Sequence, residues 1–389
     1  MTTTATTTLT SSVLNDERQA FVEALRDFAR RECGTNERFL ELTDHGAESH
    51  SPELYGKLAE LGYLGAGIPE EYGGAGGSIV DSCLLMEEVF YANLPVFGIT
   101  STLTVAQAIL RHAGEELKHE LLGGICRGAV HSLGFSEPEA GSDLASLRCR
   151  ARRVDGGWVV DGQKTWTSNA QFAEHVLLMV RTGAPDSGHD GITMLSVPMR
   201  SEGIEIRPIE TMGGREVNDV FFTEVFVPED RLIGVENEGW KQLMAGLNAE
   251  RLLLGAMALG WARKAFEDTL TYVKERKQFG RPIGSFQAIR HRLADLATEI
   301  ECTRLLVYDV ALRAEAEPDR ALPREASMVK LKATETARRV ALEGMQMMGG
   351  YGYATEYGME RLVRSTLVTT IYGGTNEIQR DIIGKTYGL

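Results

Sequence analysis

Ile371-Tyr372-Gly373-Gly374-Thr375-Asn376-Glu377-Ile378-Gln379-Arg380, near the C-terminus, is the stretch from which the rest of the chain can be ordered. Two glycines followed by Thr and an early Glu describe a turn that runs into a helix. Thr375 can cap the helix N-terminus, and Glu377 in the first turn complements the helix dipole. Gly373 contributes backbone alone. Upstream lie three long segments of helical period. Lys241 to Arg276 contains no proline. Phe286 to Ala316 carries Ile289, Leu293, Leu296 and Ile300 along one face. Ala326 to Met348 ends at Gly349-Gly350. Four helices of this kind predict an antiparallel bundle over residues 241–389.

Toward the N-terminus the period changes. Residues 130–240 read as strands, predicting a β-barrel or sandwich domain. Asp155-Gly156 and Asp161-Gly162 are hairpin turn signals. Around them run Arg150 to Val154, Trp158 to Val160 and Lys164 to Thr167. Further strands are expected at His175 to Val180, Thr193 to Pro198, Ile204 to Pro208 and Val220 to Val227. Residues 14–129 read as short helices, among them Asp16 to Cys33, Pro52 to Leu61 and Ser78 to Tyr91. The glycine-rich loop Gly65 to Gly77 lacks the Lys-Ser/Thr ending of a phosphate cradle. Residues 1–13 are Thr-rich, with neither the basic flank nor the apolar core of a secretory signal, and are expected to be a disordered tail. The expected class is therefore α+β, in the order helical domain, β domain, helical bundle. No strand precedes a G-x-G-x-x-G, so a Rossmann fold is not expected.

Composition narrows the function. The chain has 389 residues, a formal net charge of −14 and 43% hydrophobic residues. The acidic balance argues against a general nucleic-acid binder, which needs clustered Lys and Arg. No run approaches the roughly 18 apolar residues of a membrane span. The five cysteines are scattered, with no C-x-x-C, and the eight histidines form no H-E-x-x-H. Neither a disulfide framework nor a metal site is expected, and a reducing, cytoplasmic setting fits.

Five separated blocks, in order from Gly62 to Gly384, resemble the motifs of acyl-CoA dehydrogenases, flavoenzymes that desaturate thioesters. They are Ile68-Pro69-Glu70-Glu71-Tyr72-Gly73-Gly74, Gly134 to Asp143, Gly162 to Asn169, Tyr272 to Gln287, and Gln346 to Tyr353. The C-terminal stretch is similar to the signature that ends the family. The resemblance implies an FAD enzyme. Phe135, Ser136, Gly141 and Ser142 would pass along the flavin ring, with Ser142 also reaching substrate. Trp166 would pack on the ring and Ser168 would lie near its reactive nitrogen N5. Arg276, Phe279, Gln287, Gln346, Gly349 and Gly350 would hold the cofactor of a neighbouring subunit. Thr375 and Glu377 would point at the same end of it. Such sharing implies a homo-oligomer, usually a homotetramer built as a dimer of dimers.

In many relatives the position of Gly373 holds a glutamate that removes the substrate α-proton. Glycine cannot take a proton. Members of the isovaleryl-CoA dehydrogenase type carry the base on a helix at the position of Glu250, beside Arg251, so Glu250 is the expected catalytic base. Asn248, where many relatives have Asp, is assigned with Arg251, Ser142 and Gly373 to the substrate. The implied reaction is α,β-desaturation of a short or branched acyl-CoA in fatty-acid or amino-acid catabolism, with an electron-transferring flavoprotein as acceptor. Three alternatives stay open: a carrier-protein dehydrogenase of specialised metabolism, a flavin oxidase or monooxygenase on the same fold, and a non-catalytic flavoprotein.

Overall fold

The computed structural model describes residues 13–184, 187–318 and 320–389. All of the expected N-terminal tail except Val13, which is buried, lies outside the described residues. Helices come first: α1 (Asp16–Cys33), α2 (Asn36–Leu42), α3 (Pro52–Glu60), α4 (Ile79–Tyr91), α5 (Gly98–His112) and α6 (Glu115–Cys126). Their starts follow from local chemistry. Asn15 caps α1, Ser51 caps α3 ahead of Pro52, and Ser78 with Asp81 forms a capping box on α4.

Strands follow: β1 (Val130–Gly134), β2 (Arg150–Val154), β3 (Gly157–Ser168), β4 (Ala173–Arg181), β5 (Ile192–Pro198), β6 (Ile204–Thr211), β7 (Gly214–Pro228) and β8 (Leu232–Ile233). They form one sheet in the order β6-β7-β3-β2-β4-β5-β8, with β1 parallel to β4. The period of two sorts side chains between two cores. Val176, Leu178 and Val180 of β4 share one core with Val220, Phe222 and Val225 of β7, so the sheet curls over it. Leu177 and Met179 point the other way, onto Val105, Ile109 and Leu122 of the helices.

The Asp155-Gly156 turn joins β2 to β3 as expected, with Gly156 at φ 75°. Asp161-Gly162 is not a turn. β3 runs straight through it and continues pairing with β7 after a register shift. Asp161 Oδ1 accepts the backbone N–H of Glu224 at 2.8 Å. Gly162 takes φ 149°, and a Cβ there would lie 2.7 Å from Cys149 Cα. The dipeptide serves a bulge rather than a reversal.

The last third contains α7 (Gly239–Glu275), a hairpin of β9 (Lys277–Gln278) and β10 (Arg281–Pro282), then α8 (Gln287–Ala316), α9 (Pro323–Met348), α10 (Gly350–Tyr353), α11 (Met359–Val368) and α12 (Asn376–Lys385). α7 is buried on all sides from Arg251 to Ala262, as expected of a helix apolar all round. It packs on α8 and α9 and also on α4, so the two helical regions share one core. An ionic group stitches them together. Arg263 donates to Glu87 at 2.5 Å and to Glu88 at 2.8 Å, while Arg26 of α1 holds Glu88 at 2.6 Å.

Gly260 marks the crossing of α7 and α4. A Cβ there would overlap Glu87 O and sit 2.8 Å from Tyr91 N, both backbone atoms of α4. Gly260→Ala gains helix propensity of about 1 kcal/mol, but it wedges two helices apart at a cost of about 1–3 kcal/mol or more. The expected result is a lower denaturation midpoint in chemical unfolding. A midpoint equal to or above wild type would show that α4 yields freely.

Candidate active site

Glu250 lies on α7, immediately before the run of buried residues that starts at Arg251, and is itself half-buried. The Gly373-Gly374 turn between α11 and α12 comes up against it. Both glycines have positive φ, 63° and 76°, which side chains tolerate poorly. A Cβ built on Gly373 would point into α7, 3.9 Å from Glu250 Oε1. The residue with no side chain and the carboxylate thus address one point in space. That Cβ would also collide with Leu254 Cδ1. The space beside Gly373 is therefore filled by Leu254, one turn further along α7.

The turn is held from below. Lys330 of α9 is fully buried, and its Nζ donates to Gly374 O at 2.8 Å and to Asn376 Oδ1 at 3.0 Å. Gln379 Nε2 donates to Gly373 O at 3.1 Å and to Gly374 O at 3.0 Å. Thr375 caps α12, accepting Ile378 N–H at 3.3 Å. With its carbonyls engaged, the turn leaves the N–H groups of Gly373 and Gly374 without a protein acceptor among the described residues. Lys330 and Gln379 were missed from sequence. Lys330 did carry a signal: it shares the apolar stripe of Ala326, Val329, Ala333 and Ala337.

Burial pushes the Glu250 carboxyl above its usual range, against the pull of Arg251 and Lys330. Burial also lowers Lys330, to about 8, while Glu250 and Glu377 oppose that shift. Arg251 is buried and donates to Asn248 Oδ1 at 3.3 Å, and its Nε has no hydrogen-bond partner. Glu250, Leu254, Met257 and Trp261 occupy one face of α7 by their spacing. Beyond them is a cavity of about 400 Å³ lined by Phe90, Phe97, Trp261, Val368, Glu216 and Arg364.

The flavin-facing residues proposed from sequence gather at one end of the sheet. Ser136 O accepts Thr165 N–H at 2.9 Å, which brings the second and third blocks together. Trp166, at φ 58°, is 58% exposed. Ser168 is tied to β1 by Ser132 Oγ at 2.7 Å. Gly141 and Ser142 are exposed, with open space at the Gly141 α-carbon. The other set forms an exposed patch of its own. Arg276 lies over the Tyr351 ring, Phe279 is 93% exposed, and Gln287, Gln346, Gly349 and Gly350 are exposed.

Family models for the acyl-CoA dehydrogenase N-terminal, middle and C-terminal domains match residues 15–129, 132–225 and 237–388. The chain belongs to the acyl-CoA dehydrogenase family. It is 35% identical over 378 residues to the probable acyl-CoA dehydrogenase YngJ of Bacillus subtilis, covering 96% of this chain and 98% of that one. It is 33% identical to the mitochondrial isovaleryl-CoA dehydrogenase of Solanum tuberosum, over 97% and 92% of the two chains. The crystal structure of an acyl-CoA dehydrogenase from Geobacillus kaustophilus superposes with a TM-score of 0.90 at 32% identity, covering 97% of this chain and 99% of that one.

The protein is thus an FAD-dependent oxidoreductase of this family, and its residues fit the cofactor. Thr167 Oγ1 and both side-chain polar atoms of Asn169 are buried beside the exposed Trp166 without hydrogen-bond partners. Buried polar atoms are normally satisfied, and these are left over by the packing around β3; it is the exposed Trp166 ring and the open space at Gly141 that offer a flat aromatic cofactor a surface to lie on. Among the described residues no cluster could hold a metal ion, and no helix is long and apolar enough to cross a membrane.

Proposed function

We propose that the protein desaturates a short or branched acyl thioester between its α and β carbons, with Glu250 as the base. The observation that carries this reading is the placement of the Glu250 carboxylate 3.9 Å from where a side chain on Gly373 would begin. Phe135 to Ser142, Trp166 and Ser168 would hold FAD, which would supply the acceptor for the β-hydrogen as hydride. The chain's own residues do the rest. The free N–H of Gly373 is offered to the thioester carbonyl, where negative charge grows as the α-proton leaves. Lys330 and Gln379 hold that N–H in place through the adjoining carbonyls. Glu250 takes the α-proton; its raised pKa makes it a stronger base. Leu254 excludes water beside the α-carbon. Arg276, Phe279, Gln287, Gln346, Gly349 and Gly350 would bind the cofactor of a second subunit, so the working form is a homo-oligomer. An electron-transferring flavoprotein would reoxidise it.

Because Leu254 sets the width of the site, the preference should be one of degree, about 1–3 kcal/mol per methylene. Anaerobic flavin bleaching by isovaleryl-, 2-methylbutyryl-, butyryl- and octanoyl-CoA tests it. The short and branched esters are expected to react with the highest kcat/KM. Octanoyl-CoA ranking first would overturn the chain-length reading, and bleaching by no thioester would overturn the activity.

The base should be transferable only with help. Gly373→Glu in a Glu250→Gln background is expected to stay inactive, because its side chain meets Leu254 and its φ is unfavourable. Adding Leu254→Ala should restore part of the bleaching rate. Full recovery without the Leu254 change would contradict the packing described here.

A further inference from the structure

An arginine stripe that the reaction does not use leads into β2 and runs along it. Arg148, Arg150 and Arg152 are exposed, and among the described residues none of their side chains has a hydrogen-bond or ion-pair partner. Their neighbour Arg153 does, pairing with Glu229 and Glu236. In a chain of net charge −14, three arginines left without a carboxylate keep a local positive field.

A cavity of about 690 Å³ opens beside the first two, lined by Asp143, Ser146, Arg148, Arg150, Arg181 and Gly188. Its wall is built. Arg181 is 3% exposed and lies across two loops, donating to Gly188 O at 2.8 Å, Asp190 O at 2.8 Å, Ser187 Oγ at 3.1 Å and Ala145 O at 2.6 Å. It has no ion pair among the described residues, and its Nε is buried without a hydrogen-bond partner. Asp143 is the one acidic group in the lining.

Two connections along the chain join the cavity to elements of the proposed site. Asp143 directly follows Ser142. Gly188 precedes His189, whose ring stacks on Trp240 at 4.4 Å, in the first turn of α7. Glu250 lies ten residues further along that helix, about 15 Å at 1.5 Å per residue.

We propose that this cavity binds the phosphates of the CoA handle, its 3′-phosphate and diphosphate, with Arg148 and Arg150 as the ligating cations. The inference rests on the thioester reading above. A guanidinium matches phosphate oxygens with two parallel hydrogen bonds, and unpaired arginines surrender no ion pair when they make them. The concave shape and volume suit a nucleotide. An acidic carrier protein would instead lie along the open stripe and engage Arg152, which is outside the cavity.

Adenosine 3′,5′-bisphosphate titrated into the holoenzyme by calorimetry is expected to bind. The Arg148→Ala/Arg150→Ala double variant should weaken it at least tenfold, and Arg152→Ala less than threefold. In kinetics, the preference for butyryl-CoA over butyryl-pantetheine should fall at least tenfold in the double variant, through KM. Equal weakening by Arg152→Ala would reduce the effect to a general field and overturn the assignment. An unchanged preference in the double variant, or turnover confined to a carrier-bound acyl group, would overturn it as well. Those failures leave the desaturase reading standing if butyryl-pantetheine still bleaches the flavin; if no thioester does, the desaturase reading itself has failed.

Discussion

Glu250→Gln is expected to keep fold and flavin while lowering the rate of flavin reduction by thioester about 10²–10⁴-fold, the usual contribution of a general base. The amide is nearly isosteric, so Leu254 and the Gly373 turn keep their packing. What is lost is the carboxylate that accepts a proton at that point: among its described neighbours Arg251 is a cation, Lys330 is one below its pKa of about 8, and Gly373 has no side chain. The pH profile supplies an independent readout. Activity requires the ionised carboxylate, so kcat/KM in wild type should fall as pH drops through the raised pKa of Glu250. The variant's residual activity should lack that limb. Anaerobic stopped-flow reduction across pH measures both quantities. A variant that reduces at the wild-type rate would place the base elsewhere.

Stability should fall steeply between about pH 6.5 and pH 4, ahead of ordinary carboxylate titration. His50 and His131 are buried, and burial lowers them to about 4 and about 3. His50 Nδ1 accepts Gly98 N–H at 3.2 Å and so must be unprotonated there. The rings of Tyr55 and Phe172 flank it. His131 stacks on His175 at 5.4 Å, a neighbour whose own charge would oppose its protonation. The sign follows from linkage. With the folded pKa depressed, the unfolded chain binds protons first as pH falls below 6.5. The contribution is complete above that pH and is lost on the way down. These two groups alone give a slope of about 2.7 kcal/mol per pH unit, and His112 and His175, which burial also lowers, add to it in the same sense. Glu216 and Glu250, whose carboxyls are raised by burial, act in the opposite sense and soften the fall. Urea midpoints at pH 7 and pH 5 test this. His131→Gln should lower the slope by about 1.4 kcal/mol per pH unit, the share of one such group. Equal midpoints for the wild type at the two pH values would mean that these rings titrate normally.

Much of this protein was open to reading along the chain, because the relevant physics is local. The periods of 3.6 and 2 separated helices from strands. Asn15, Ser51, Ser78 and Thr375 cap helices through bonds to N–H groups two or three residues away, so their roles are visible in short words. Asp155-Gly156 made its turn for the same reason. Asp161-Gly162 has the same letters but became a bulge, because β7 and Cys149 lie against it and no local term encodes their approach.

The exchange of base between 373 and 250 could be proposed from the sequence, by resemblance, since it is a matter of which positions carry a carboxylate. Tertiary structure decided the rest of the site. Leu254 fills the space beside Gly373, Lys330 reaches from α9 to hold the turn's carbonyls, and α4 joins the bundle through Gly260 and the Arg263 ion group. These depend on contacts between residues that are tens to hundreds of positions apart. Such contacts are set by how close two backbones come, and a sequence states that only where a glycine or a buried charge betrays it.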